Sequence, residues 1–181
     1  MKKTPLILGI VAAAALAAGV VGYSVHRAGA PPREDASRSA PASPGKRTAP
    51  PFSLADINGN RVDSSRFSGK PTVVNFFATW CPPCREEIPG FVAVYDKYKD
   101  RGLEVVGISL DTDTRGNLPG FIMSNRIGYH ILLGDIATVQ AFGWGSGIPA
   151  TFFIGKDGEI RTVHVGYMDR DAFDREVQKL L

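Results

Sequence analysis

Residues 72–110 leave the fold little choice. Thr72-Val73-Val74-Asn75-Phe76-Phe77 is a β-branched and aromatic run without polar alternation, the pattern of a buried central strand. From Cys84 to about Arg101 the apolar positions Ile88, Phe91, Val92 and Tyr95 recur at helical spacing, and Gly102 supplies a stop. Leu103 to Leu110 is a second buried strand. A strand, a helix and a strand in so short a span form a βαβ unit, whose crossover is right-handed in nearly all proteins. The loop after Phe77 then lies at the carboxyl edge of a sheet, where α/β folds place their sites.

The remaining elements extend that sheet. Phe52-Ser53-Leu54 and Arg61-Val62 flank Asn58-Gly59, a hairpin signal. Short helices are expected at Leu118–Arg126 and Asp135–Phe142, around a strand near His130–Leu133. Thr151–Ile154 and Ile160–Val165 read as strands joined through Asp157-Gly158, a pair suited to a tight antiparallel turn. Asp169–Leu181 reads as a closing helix with Asp169 at its N-cap and Phe173, Val177 and Leu180 on one face. The expectation is an α/β domain, a mixed central sheet flanked by helices, spanning residues 52–181.

The segments ahead of it are of another kind. Between Lys3 and His26 lie 22 residues without a charge, enough at about 1.5 Å per residue to cross a hydrocarbon core of roughly 30 Å. Residues 1–27 are therefore read as a membrane anchor or, alternatively, a signal peptide. The length of the stretch and Pro31, just after Ala28-Gly29-Ala30, favour retention over cleavage. Lys2 and Lys3 point that end inward, which leaves the rest of the chain outside the cytoplasm. Residues 28–51 contain no large apolar residue and six of the 13 prolines, so they read as a disordered tether.

This division also locates the charge. The 181 residues hold 21 Lys+Arg and 18 Asp+Glu, a net +3. Residues 1–50 account for seven of the bases and two of the acids, which leaves 14 bases against 16 acids beyond them. The excess positive charge lies outside the folded domain, which removes the case for a nucleic-acid footprint.

The chemistry centres on Trp80-Cys81-Pro82-Pro83-Cys84, which contains the only two cysteines. On the first turn of a helix, side chains three apart share a face, so the two sulfurs can close a small disulfide ring or open it to a dithiol. Pro82 and Pro83 cost no intrahelical bond there, because first-turn amides have no partner. The helix N-terminus favours a thiolate at the first cysteine, which makes Cys81 the attacking sulfur and Cys84 the resolving one. Neither proline has an N–H, so the Cys84 amide is the main local donor to Cys81. That implies a thiol only moderately acidified, and a reducing couple. Other uses of the pair are a buried structural bridge, a zinc site, for which four ligands are wanting, and copper binding with His164.

The run VVNFFATWCPPCREEIP, followed by GIPATFFIGKDGEI, resembles the thioredoxin superfamily, and most nearly its membrane-tethered, extracytoplasmic TlpA/ResA-like branch, related to CcmG/DsbE proteins. The resemblance covers about residues 50–181. It implies a thioredoxin fold with an N-terminal β-hairpin and a central helix-strand insertion at 115–133. It places Pro149 as the cis-proline facing the disulfide and Ile148 as the residue whose backbone pairs with an extended substrate, beside Trp80. Glu87 matches an active-site glutamate three residues after the second cysteine, able to exchange protons with Cys84. Asn75 stands where thioredoxin carries a buried acid, so no proton role is assigned to it.

The function expected is an extracytoplasmic thiol–disulfide oxidoreductase that reduces disulfides in apocytochrome c or copper-site assembly proteins. By resemblance its partners are protein disulfides and a transmembrane thiol donor of the CcdA or DsbD type. No organic cofactor is implied, and the domain is expected to be a monomer on the outer side of a bacterial cytoplasmic membrane. The alternatives are a disulfide oxidase, a peroxidase, for which Thr79 alone is insufficient, and a copper-binding chaperone.

Overall fold

A computed structural model describes residues 47–145 and 147–181. Residues 1–46, with the expected anchor and most of the tether, lie outside the described residues.

Seven strands form one mixed sheet, in the order β2 (Arg61–Asp63), β1 (Ser53–Asp56), β5 (His130–Leu133), β4 (Glu104–Ser109), β3 (Thr72–Phe77), β6 (Ala150–Ile154) and β7 (Ile160–Val165). Strand β3 (Thr72–Phe77) is buried along its whole length and leads into helix α1 (Pro82–Tyr98), which returns the chain to β4 (Glu104–Ser109). β3 and β4 pair in parallel, as a crossover connection requires. The expected helix thus starts two residues early, because Cys81 itself is the N-cap. At the other end a 3-10 turn continues to Arg101, and Gly102 at φ +88 reverses the chain without a Cβ penalty.

The hairpin consists of β1 (Ser53–Asp56) and β2 (Arg61–Asp63). Its turn is organised by Asp56, whose Oδ1 accepts from the amides of Asn58 and Asn60 at 2.8 and 2.9 Å, with Gly59 at φ +84. The insertion holds a short helix, α2 (Leu118–Ser124), and β5 (His130–Leu133). Strand β5 is what joins the hairpin to the rest: it pairs in parallel with β4 and antiparallel with β1. Helix α3 (Ile136–Phe142) is capped by Asp135, whose side chain accepts from the Thr138 amide. The antiparallel strands β6 (Ala150–Ile154) and β7 (Ile160–Val165) precede α4 (Arg170–Leu180), which Asp169 caps.

Two cores lie on the two faces of the sheet, and the pleat of β3 divides its residues between them. Val73 and Phe77 pack with α1 and α4, through Phe91, Val94, Phe173 and Val177. Val74 and Phe76 pack with Phe142, Phe152 and the hairpin residues Leu54 and Val62.

The start of the folded domain is corrected by the structure. Residues 47–49, expected in the tether, are part of it: Ile160 donates to the Arg47 carbonyl at 2.8 Å, Ala49 donates to Gly158 at 2.9 Å, and Thr48 bridges to Glu159. These are main-chain bonds to the β6–β7 turn, so a segment without large apolar side chains still finds a place in the fold.

Candidate active site

The loop from Phe77 to Pro82 leaves the carboxyl end of β3, between β4 and β6, and delivers both cysteines to the start of α1. Cys81 and Cys84 form a disulfide with Cα atoms 5.3 Å apart. The Cys81 sulfur serves as the helix cap, accepting from the Cys84 amide at 3.3 Å. With Pro82 and Pro83 between them, this is the donor the sequence leaves available. Exposure is unequal but small: Cys81 keeps 3% and Cys84 none, whereas Trp80 is 59% exposed. The ring of Trp80 therefore projects beside a nearly enclosed disulfide.

Facing the disulfide is the loop before β6. The Ile148–Pro149 bond is cis, and the Ile148 carbonyl oxygen lies 3.7 Å from Cys81 Sγ. Sequence spacing alone reads Ile-Pro as a turn; only the family resemblance pointed to this geometry.

Glu87 lies one turn along α1 from Cys84, on its buried side, with 2% exposure. Its hydrogen bonds go to neither cysteine. Asn75 Nδ2 donates to Oε1 at 2.9 Å, and the Met168 amide donates to Oε2 at 3.3 Å. Burial disfavours the charged form and pushes the carboxyl up to about 8, although the Asn75 and Met168 hydrogen bonds pull it down. The side chain is thus poised to hold or release a proton near neutral pH, as an acid–base group must.

Thr151, Met168 and Asp111 escaped the sequence reading, which named Asn75 without giving it a role. Asn75 and Thr151, adjacent in the β3–β6 ladder, join Glu87 in one buried polar group. Met168 contributes a main-chain amide, which no side-chain pattern could announce. Asp111 was legible in principle, as an acid directly after a buried strand at the carboxyl edge of the sheet. It accepts from the Thr79 amide at 3.0 Å and the Thr79 hydroxyl at 2.6 Å. His164 Nε2 is 3.0 Å from the Tyr167 carbonyl, which requires the ring to donate there. Among the described residues no cluster of three His, Cys, Asp or Glu could hold a metal ion.

A model of the AhpC/TSA family matches residues 46–163. The chain belongs to the AhpC/TSA family. Individual relatives narrow the activity. Thiol-disulfide oxidoreductase ResA of Bacillus subtilis (strain 168) is 30% identical over 149 residues, covering 82% of this chain and 78% of that protein. A thiol:disulfide interchange protein of the thioredoxin family from Chlorobium tepidum TLS is 35% identical, covers 77% of this chain and 99% of that one, and has a TM-score of 0.70. A structure described as the interchange protein DsbE, from Chlorobium tepidum, is 28% identical over 76% of this chain and 97% of that one, with a TM-score of 0.69. This AhpC/TSA member thus has the thioredoxin fold and is a thiol–disulfide oxidoreductase of the ResA/DsbE type.

Proposed function

We propose that the protein reduces disulfides in extracytoplasmic proteins by dithiol exchange at Cys81 and Cys84. The observation that carries this reading is the Cys81–Cys84 bridge at the N-terminus of α1, with Cys81 Sγ 3.7 Å from the Ile148 carbonyl. A backbone acceptor beside the sulfur suits an extended substrate segment, which can pair with Ile148 while its disulfide meets Cys81.

In the reduced protein the Cys81 thiolate attacks one sulfur of the substrate disulfide. A Cys81–substrate bond forms, and the other substrate sulfur leaves as a thiolate that takes a proton from water. Cys84 gives its proton to Glu87 and attacks Cys81. The Cys81–Cys84 bridge closes, the second substrate sulfur leaves as a thiolate that takes a proton from water, and two electrons have passed to the substrate. Cys84, wholly buried one helical turn from Glu87, is suited to the second attack only.

An oxidising compartment opposes the reduced state, so the protein needs a donor. A transmembrane dithiol carrier of the CcdA or DsbD type fits a chain whose uncharged residues 4–25 have the length of a membrane span. Apocytochrome c and copper-site assembly proteins are the substrates proposed. The peroxidase alternative gains nothing at Thr79, whose hydroxyl hydrogen is committed to Asp111.

The test is to express the full chain with Cys84→Ala in cells and identify what stays disulfide-linked to Cys81. A trapped apocytochrome or copper-assembly protein is the expected result. A broad set of newly secreted proteins indicates an oxidase instead, and no adduct on Cys81 ends the exchange reading.

A further inference from the structure

The carboxyl of Glu87 is held from the sheet rather than from its own helix. Asn75 Nδ2 donates to Glu87 Oε1 at 2.9 Å and to Thr151 Oγ1 at 3.0 Å. An amide nitrogen carries two hydrogens, so both are committed, one to the carboxyl and one to the hydroxyl. The Thr151 hydroxyl thereby anchors the amide against β6 while the other hydrogen reaches Glu87. Asn75 and Thr151 sit opposite each other in the β3–β6 ladder, both buried.

We propose that Asn75, anchored by Thr151, is a positioning residue that sets the pH at which Glu87 gives up its proton. This deepens the function proposed above and rests on its use of Glu87 as the proton acceptor for Cys84. Asparagine suits both states of the acid. Its N–H end donates to Glu87 Oε1, as the structure shows, and that contact favours the ionised carboxyl. Once Glu87 is protonated, a turn of the amide presents Oδ1, which accepts from the carboxylic O–H and from the Thr151 hydroxyl. A carboxylate at position 75 would instead repel an ionised Glu87, and an apolar side chain would leave a buried charge without one of its donors.

The other groups around Glu87 are compatible with this control. Tyr129, buried on the insertion, has its phenol pushed upward by burial first and by the Glu87 charge second, so it stays neutral. Cys84 lies one turn back on α1. On the remaining side Glu87 borders a cleft of about 300 Å³, lined also by Glu86, Gly90, Tyr167, Met168 and Arg170. That cleft gives the proton a path to water away from the disulfide.

The test is a carbon-13 NMR titration of the Glu87 carboxyl in the oxidised full-length protein in detergent, assigned by its loss in Glu87→Gln. Asn75→Ala is expected to move the midpoint upward by about one pH unit. Thr151→Val, a substitution of nearly equal shape, is expected to move it the same way by less. An unmoved midpoint in Asn75→Ala with an unchanged circular dichroism spectrum overturns the proposal. Should Asn75→Ala not fold, an unmoved midpoint in Thr151→Val overturns it. The pH profile of disulfide reduction separates this from the underlying reading: a profile unaltered by Glu87→Gln removes Glu87 from the reaction, whatever the midpoints show.

Discussion

Asp111 grips Thr79 at both of its donors, Oδ2 taking the backbone amide at 3.0 Å and Oδ1 the hydroxyl at 2.6 Å. The same carboxylate accepts from Ser109 Oγ at 2.8 Å and from the Thr114 hydroxyl. Thr79 is two residues before Cys81, so this buried acid ties the loop carrying the disulfide to the neighbouring strand and to Thr114, just ahead of the insertion. Burial pushes its carboxyl upward, but the hydrogen bonds from Thr114, Thr79 and Ser109 outweigh it and hold the carboxyl below its usual range. Asp111→Ala is expected to cost about 3 kcal/mol, since it strands several donors that lie away from water. The pH dependence follows from the lowered value: the stabilisation is present above the unfolded value of about 3.9 and is lost as pH falls through the folded one. Urea midpoints measured between pH 3 and 7 should drop below about pH 4 in the parent and lose that component in Asp111→Asn.

Phe91 and Phe173 stack with ring centroids 3.7 Å apart and planes within 8°, joining α1 to α4. Both are fully buried, and Phe153 packs on Phe173 from β6. Phe91→Ala should therefore cost roughly 3–5 kcal/mol by lost burial and an unfilled cavity. Phe91→Leu, which keeps most of the volume, should cost less than half as much. Denaturant unfolding of the oxidised proteins measures both, and equal losses would count against a cavity as the cause.

Periodicity carried the fold further than it carried the site. Strands β3, β5 and β7 lie where the residue pattern placed them, β3 as a β-branched and aromatic run buried along its whole length. The cis Ile148–Pro149 bond came from resemblance, since a cis and a trans X-Pro pair have the same spelling. The polar group around Glu87 was half legible. Its helix position follows from spacing, but Thr151 and the Met168 amide meet it only through sheet pairing and a loop, at separations no local pattern encodes. The segment 47–49 escaped for a related reason: it is held by main-chain bonds, which are blind to side-chain composition.

Trp80 is 59% exposed although it adjoins a nearly enclosed disulfide. A large apolar ring left in water contributes little to the fold, so Trp80→Ala should change unfolding free energy by less than about 1 kcal/mol. In the function proposed above, that exposed ring is offered to the substrate. The expected result is a raised KM for a disulfide-bonded protein, with little change for a small disulfide that reaches past the ring. Equal losses for both would make Trp80 a structural support for Cys81 instead.

Glu87 should leave a second signature, in stability, that is independent of catalysis. Its carboxyl is pushed from 4.5 up to about 8 in the folded protein, by burial above all. Between those values the unfolded chain has lost the proton and the folded one keeps it, so folding takes up a proton. Stability must then fall as pH rises from about 4.5 to about 8 and level off above, a change of roughly 3–5 kcal/mol. His130 works in the opposite sense: burial first, then Arg66, lowers its folded value. That adds stability as pH rises towards its unfolded value near 6.5. The His130 contribution is common to the parent and to Glu87→Gln, so it cancels in their difference. Urea unfolding of the two oxidised proteins at pH 5, 7 and 9 should show Glu87→Gln gaining on the parent at each step. A constant difference across that range would mean that Glu87 is already ionised at pH 5, and the proton transfer assigned to it would lose its physical basis.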